Sequence, residues 1–282
     1  MTDIARLLHS RSFVELGARQ RARAVLDPGS FRELLGPFDR LMSPWLPRQG
    51  IVPQADDGVV IAKGLLNGRN AVVAAIEGSF QGGSMGEVGG AKIAGALELA
   101  IEDNRNGIPT CAVLLLETGG VRLQEANLGL AAIAEIQAAI VELCAWQPVV
   151  GLVAGSVGCF GGMSIAAGLC SHLLVTREAR VGLNGPQVIE QEAGIGEYDA
   201  KDRPFIWSLT GGEQRHASGL VDACVADDIE VLRERLLQLL DEPSRDRAGQ
   251  HAWFLERLAR LGDGCPQLDA AAVRDFSPGE AK

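Results

Sequence analysis

Thr118-Gly119-Gly120-Val121-Arg122-Leu123-Gln124-Glu125 follows directly on the apolar run Cys111–Leu116, and Gly158-Cys159-Phe160-Gly161-Gly162-Met163-Ser164 follows on Pro148–Ala154. Both stretches read as a buried strand, a glycine doublet and the mouth of a helix. A doublet there leaves backbone N–H groups unobstructed by side chains, the arrangement that holds an oxyanion. Glycine also permits close backbone approach and positive φ.

Working outward, strands alternate with helices. Val59–Leu66, a turn at Asn67-Gly68 and Ala71–Glu77 read as a β-hairpin. Gly78–Gly90 reads as a glycine-rich loop. Ala91–Asn106 is then a helix, with Ile93, Ala96, Leu97, Ala100 and Ile101 on one face. The pattern continues with a strand over Ile108–Glu117, a helix over Glu125–Trp146, a strand over Pro148–Ala154 and a helix over Gly162–Cys170. Short strands follow at His172–Thr176 and Ala179–Gly182, a helix at Pro186–Ala193, and a charged loop over Gly194–Arg203. Gly219–Val225 reads as a turn and edge strand, and Asp228–Asp241 as an amphipathic helix. This order predicts an α/β fold with a largely parallel sheet. Three segments are expected: an N-terminal helical arm and connector (1–56), a core (57–241) and a C-terminal helical tail (242–282) with a helix near Trp253–Leu261. In the arm, Phe13–Leu26 reads as a short basic helix carrying Arg19, Arg21 and Arg23, and Phe31–Leu35 as a short helix or extended arm.

Composition narrows the function. The chain has 282 residues, 47% hydrophobic, with a net charge of -10. That acidity argues against phosphate neutralisation, and an aromatic fraction of 5% argues against base stacking, so no nucleic-acid partner is expected. The six cysteines form no Cys-x-x-Cys pair, so neither a zinc ribbon nor a disulfide framework is expected, and a reducing cytoplasm fits best. Met1–Phe13 lacks a signal-peptide apolar region. Cys144–Thr176 contains no charged Asp, Glu, Lys or Arg, yet Pro148 and many glycines make strand, turn and helix the better reading than a membrane span. No metal-ligand cluster, Walker sequence or dinucleotide fingerprint is present.

Gly82-Gly83-Ser84-Met85-Gly86 matches the Gly-x-Ser-x-Gly of a nucleophile elbow. An elbow puts its serine at a strand tip, whereas the preceding strand is read to end at Glu77. His172, His216 and His251 lie downstream without a convincing Asp-then-His context. A flexible loop beside a bound cofactor is therefore the favoured reading, and a serine hydrolase the rival. Arg122 has two readings: an anion contact, or a structural partner of Glu125 or Glu117. The arginines at 19, 21 and 23 likewise fit either phosphates and an acidic carrier or a helix face used in packing.

Several stretches in order carry a family resemblance. These are Gly17-Ala18-Arg19-Gln20-Arg21 through Leu26-Asp27-Pro28-Gly29-Ser30-Phe31, Asp57-Gly58-Val59-Val60, Gly82–Glu87, Gly119–Glu125, the Gly161-Gly162 turn, Gly185-Pro186 and Gly219-Leu220-Val221-Asp222. Together, over roughly residues 12–240, they resemble the β half of acyl-CoA carboxyltransferases in the crotonase-like superfamily. Within that group, the short chain, the absence of a zinc ribbon and Glu77–Glu87 are most similar to the malonate decarboxylase β family.

The resemblance implies a ClpP/crotonase spiral fold with β-β-α units. It also implies decarboxylation of malonyl-S-acyl-carrier-protein to the acetyl thioester through an oxyanion-stabilised enolate. The catalytic candidates are Gly161, Gly162, Gly119 and Gly120, with Arg122, Gly82, Gly83 and Ser84 near the substrate or its arm. A CoA-derived phosphopantetheine-type group on an acyl-carrier subunit is implied, with no metal and no biotin. The implied partners are a crotonase-like γ subunit, the acyl-carrier subunit and an acyl-carrier transferase subunit. Two alternatives stay open: the β half of a biotin-dependent carboxyltransferase, and a non-catalytic subunit that completes a partner's site.

Overall fold

The computed structural model describes residues 10–50, 57–125, 127–244, 247–261 and 271. Most of Met1–Phe13, residues 51–56 at the end of the arm and connector, Ala126, Cys265 and much of the expected tail lie outside these residues.

A 7-stranded sheet runs in sequence order from β1 to β7. β1 (Arg32–Leu35) and β2 (Val59–Leu66) pair antiparallel, as do β2 and β3 (Arg69–Ile76) across the Asn67-Gly68 turn. From β3 onward every pairing is parallel: β4 (Thr110–Leu115), β5 (Val149–Val153), β6 (His172–Thr176) and β7 (Ala223–Val225). Parallel neighbours need crossovers, and the helices between them supply these. Preceding β1 is α1 (Ala18–Val25); the later helices are α2 (Glu87–Arg105), α3 (Asn127–Cys144), α4 (Gly162–Leu169), α5 (Pro186–Ala193), α6 (Arg203–Thr210), α7 (Gly212–Ala217), α8 (Ile229–Leu239) and α9 (Arg247–Leu261).

Alternation along each strand divides the core into two layers. Val72, Ala74, Leu114, Val153 and Val175 pack with Leu97, Ile136 and Met163 of α2, α3 and α4. Val73, Ala75, Val113, Leu152 and Leu174 face the other way, against Ala22 and Val25 of α1 and Leu232 and Leu236 of α8. Both faces of the sheet are covered, which is why its central strands read as unbroken apolar runs.

Several elements depart from the sequence expectation. The basic helix begins at Ala18, and Phe31–Leu35 resolves into strand β1. α2 starts at Glu87, inside the stretch read as a loop, because two glycines that weaken helix propensity are required by packing. A β-carbon on Gly90 would lie 2.4 Å from the Ala132 β-carbon of α3. Ala179–Gly182 forms single bridges, to Gly211 and Cys159, in place of a strand. Beyond the charged loop, α6 and α7 are two further helices: Asp202 caps α6 by accepting from the Phe205 N–H at 3.0 Å. The uncharged Cys144–Thr176 stretch is strand, turn, helix and strand. α3 is long and apolar enough to span a membrane by length and composition, but here it buries Ile133, Ile136, Ile140 and Leu143 in the core.

Candidate functional site

The three glycine motifs, far apart in sequence, meet beyond the C-terminal ends of β3, β4 and β5. There the chain forms a ladder of single bridges: Met85 with Val121, Thr118 with Cys159, and Cys159 with Val181. Glycine is what lets the strands of this ladder approach. A β-carbon on Gly83 would sit 1.9 Å from the Glu117 carbonyl oxygen. One on Gly161 would sit 3.3 Å from Gly120 Cα, so the two doublets abut. Six residues here have positive φ: Gln81, Gly82, Gly83, Gly120, Gly158 and Gly161, at 49°, 64°, 64°, 112°, 83° and 62°.

The two doublets differ in which donors remain. The Gly119 N–H donates to the Gly82 carbonyl at 2.8 Å, and the Gly120 N–H to Thr118 Oγ1 at 3.1 Å. Both are spent on closing the ladder. The Gly161 N–H donates to the Leu183 carbonyl at 2.7 Å. Gly162 and Met163 instead open the first turn of α4, where no earlier turn supplies acceptors and no side chain caps the end. These donors point outward from a helix N-terminus, with the partial positive charge of its dipole behind them. The neighbouring α2 start is closed by the chain itself. Glu125 accepts from the Glu87 N–H at 2.7 Å, and its oxygens lie where a β-carbon on Gly86 would go, 2.5 Å away.

Arg122 belongs to that closure. Its guanidinium is buried, donates to Glu125 at 2.9 Å, and holds Ser84 through Oγ at 3.2 Å and the carbonyl at 3.0 Å. These contacts match the reading of Arg122 as a partner of Glu125. Ser84 therefore faces a guanidinium. His172, the nearest downstream histidine in sequence, is buried elsewhere, against the Glu242 carbonyl. Ser84 also lies eight residues past the end of β3, whereas an elbow puts its serine at the strand tip. The basic helix is likewise used in packing: Arg21 pairs with buried Glu117, Arg19 with Glu33 at 2.6 Å, and Arg23 lies over Phe31 at 4.8 Å.

Gly82, with nothing within 4 Å of its β-carbon position, and exposed Gly119 leave open backbone on the rim of this junction. Cys159, at the centre of the ladder, is fully enclosed, and burial pushes its thiol up to about 12, so it is no nucleophile. Arg180, Tyr198 and Arg215, which flank the second turn, escaped the sequence reading. They share no linear motif, and nothing in their spacing signals that they converge.

A largely parallel sheet, with a ladder of bridges beyond its strand ends and backbone donors at a helix mouth, defines a crotonase-like class of enzyme. More narrowly, the carboxyl transferase domain family matches residues 14–251, and the chain belongs to that family. Among its relatives, the malonyl-S-ACP:biotin-protein carboxyltransferase of Malonomonas rubra is 39% identical over 249 residues, covering 85% of this chain and 78% of the relative. One chain of a Pseudomonas malonate decarboxylase hetero-tetramer, solved in complex with malonate, is 71% identical with a TM-score of 0.90, over 97% of this chain and 100% of that one. The transcarboxylase 12S structure with methylmalonyl-coenzyme A bound is 27% identical with a TM-score of 0.66, over 81% of this chain and 41% of that one.

Proposed function

We propose that this chain is the β-type subunit of a cytoplasmic, biotin-independent malonate decarboxylase, acting on a malonyl thioester carried by an acyl-carrier subunit. The observation that carries the reading is the 71% identity, over 97% of this chain, to a chain of the Pseudomonas malonate decarboxylase hetero-tetramer.

The chemistry follows from the donors. Decarboxylation breaks the bond between the methylene and the carboxylate carbon. CO2 leaves, and the electron pair passes into the thioester carbonyl as an enolate, which then takes a proton at carbon. N–H groups preset toward that oxygen stabilise the charge as it develops, each worth about 3–4 kcal/mol. The Gly162 end of α4 supplies them, because Gly119 and Gly120 have already committed their N–H groups. Gly119 and Gly120 act by holding Gly161 and the Gly82–Ser84 loop in place, and Arg122 positions that loop through Ser84. The phosphopantetheine-type arm of the carrier supplies the thioester, and Gly82 and Gly119 form the rim along which it would lie.

The partner in this reading is a second crotonase-like subunit, γ, with the carrier and its transferase completing the assembly. Exposed Leu130, Val141 and Ile165 on α3 and α4 offer it an apolar face, and the two helices are tied where Gln137 Nε2 donates to the Gly162 carbonyl at 3.1 Å. The Malonomonas relative favours one competing reading, transfer of the carboxylate to a biotin protein. Purifying the native assembly and following CO2 release from malonyl-carrier with and without avidin separates the two. Release unaffected by avidin is expected; release abolished by avidin would establish the biotin-linked carboxyltransferase.

A further inference from the structure

The chain supplies a carboxylate to its buried arginines in the core: Arg21 has Glu117 and Arg122 has Glu125. Arg180 and Arg215, both half-buried, have no such partner among the described residues. Arg180 follows β6 in the bridged segment. Its Nη2 donates to the carbonyls of Ser156 and Val157, and its guanidinium lies over the rings of Phe160 at 5.5 Å and Trp207 at 4.7 Å. Its Nε is buried with no hydrogen-bond partner. Arg215, on α7, donates through Nε to the Val181 carbonyl at 2.8 Å. Among the described residues neither guanidinium forms an ion pair with a carboxylate, and burial lowers the pKa of both.

Tyr198 completes the cluster. It is 7% exposed, stacks edge-on against Phe205 at 5.3 Å, and its hydroxyl is buried without a partner. Both arginines act on it electrostatically, and Arg203 adds a further positive charge beside Arg180. Burial raises the phenol's pKa, so it stays a neutral donor. Guanidinium donors, a phenol donor and an excess of positive charge all lack the same thing, which is an acceptor oxygen carrying negative charge.

We propose that Arg180, Arg215 and Tyr198 form a binding site for an external oxyanion, a carboxylate or phosphate group brought by the acyl substrate. The site adjoins the second glycine turn. The Cys159 N–H donates to the Arg180 carbonyl at 2.8 Å, and Phe160, under the Arg180 guanidinium, precedes Gly161. An anion held here tethers its molecule beside the open end of α4. Attributing the anion to the acyl substrate rests on the proposed function; the existence of the site does not.

The test is calorimetric titration of the purified full-length chain, alone and assembled with its partner subunit, with sodium malonate, inorganic phosphate and coenzyme A, against a sodium chloride control. Binding of at least one anion is expected, weakened about tenfold or more in Tyr198→Phe and in Arg180→Gln. Arg105→Gln, a change at the exposed end of α2, should bind as the wild type does. Preference for malonate assigns the site to the substrate's carboxylate; preference for phosphate, displaced by coenzyme A, assigns it to the arm. Arg180→Gln also loses the loop contacts of Ser156 and Val157, so Tyr198→Phe, which removes one oxygen, decides the matter if the first fails to fold. No anion binding above the chloride control, or unchanged affinity in Tyr198→Phe, would overturn the site. Failure of the Tyr198→Phe assembly to form, without anion binding in the wild type, would assign the cluster to a partner carboxylate and overturn it as well. Because no turnover is measured, these results stand apart from the fate of the decarboxylase reading.

Discussion

Gly161 combines φ of 62° with ψ of −147°, a conformation that side-chain-bearing residues adopt only under strain, and its β-carbon position is 3.3 Å from Gly120 Cα. Gly161→Ala should therefore lose about 1–3 kcal/mol of stability together with most of the activity, because the turn that aims Gly162 must shift. Denaturant titration alongside CO2 release checks both; a wild-type rate would remove this turn from the chemistry. At Arg122 a different physics applies. Its removal leaves the buried Glu125 carboxylate at the α2 start with the Glu87 N–H but no counter-charge, and Arg122→Ala should cost about 3–5 kcal/mol. Ser84→Ala removes one acceptor of that guanidinium and should cost about 1 kcal/mol, with most of the rate retained and no labelling of the wild type by a fluorophosphonate. Labelling of Ser84 would restore the hydrolase reading.

At the scale of elements, α1 is fastened to the core by carboxylates. Glu77 accepts from the Ala18 N–H at 2.9 Å, at the N-terminus of the helix. Burial pushes the Glu77 carboxyl up, but hydrogen bonds from Ala18 and Ser79, helped by the charge of Arg21, outweigh it, and the net shift is downward from 4.5. Asp27, just beyond α1, is lowered too: burial opposes, while the N–H groups of Gly68 and Asn67 and the Arg233 guanidinium prevail. A carboxyl whose folded pKa is depressed stabilises the fold above its unfolded pKa, and that contribution is lost as pH falls through the folded value. The amides of α1 should thus keep their exchange protection at neutral pH and lose it, ahead of the β4 and β5 amides, as pH falls below the ordinary glutamate value of 4.5. Hydrogen exchange corrected for intrinsic rate measures this. Glu77→Gln should flatten the dependence, and equal loss in α1 and the central strands would refute the carboxylate clamp.

For the molecule as a whole, the open end of α4 lies beside exposed apolar side chains of α3 and α4. Leu130, Val141 and Ile165 are 52%, 57% and 50% exposed, a pattern suited to an interface core more than to water. The isolated chain should show little turnover, and co-expression with the partner subunit should restore it. Leu130→Glu with Ile165→Glu should block assembly while leaving the chain's melting temperature nearly unchanged, since neither side chain is buried in the core. Sedimentation and differential scanning calorimetry measure the two effects. Full turnover by the monodisperse isolated chain would mean that this subunit contains a complete site.

Much of this molecule was legible in its chain because the signals were local. The β2–β3 hairpin at Asn67-Gly68, the apolar strands β4 and β5, and helix α5 over Pro186–Ala193 follow from turn chemistry and periodicity, which neighbouring residues carry between them. The glycine doublets announced strand-to-helix turns for the same reason. Local pattern misplaced the start of α2, because Gly89 and Gly90 look like loop residues until α3 packs against them. It passed over α6 and α7, whose short apolar faces sit among charges. Nor could it rank Gly119-Gly120 against Gly161-Gly162: the two read alike, and they differ only in which N–H groups find acceptors at Gly82, Thr118 and Leu183. The balance of charge around Arg180 was hidden for the same reason. Whether a cation has a counter-charge depends on chain segments brought together by the fold, and Arg180 and Arg215 meet around Tyr198 only when the chain beyond β6 folds back.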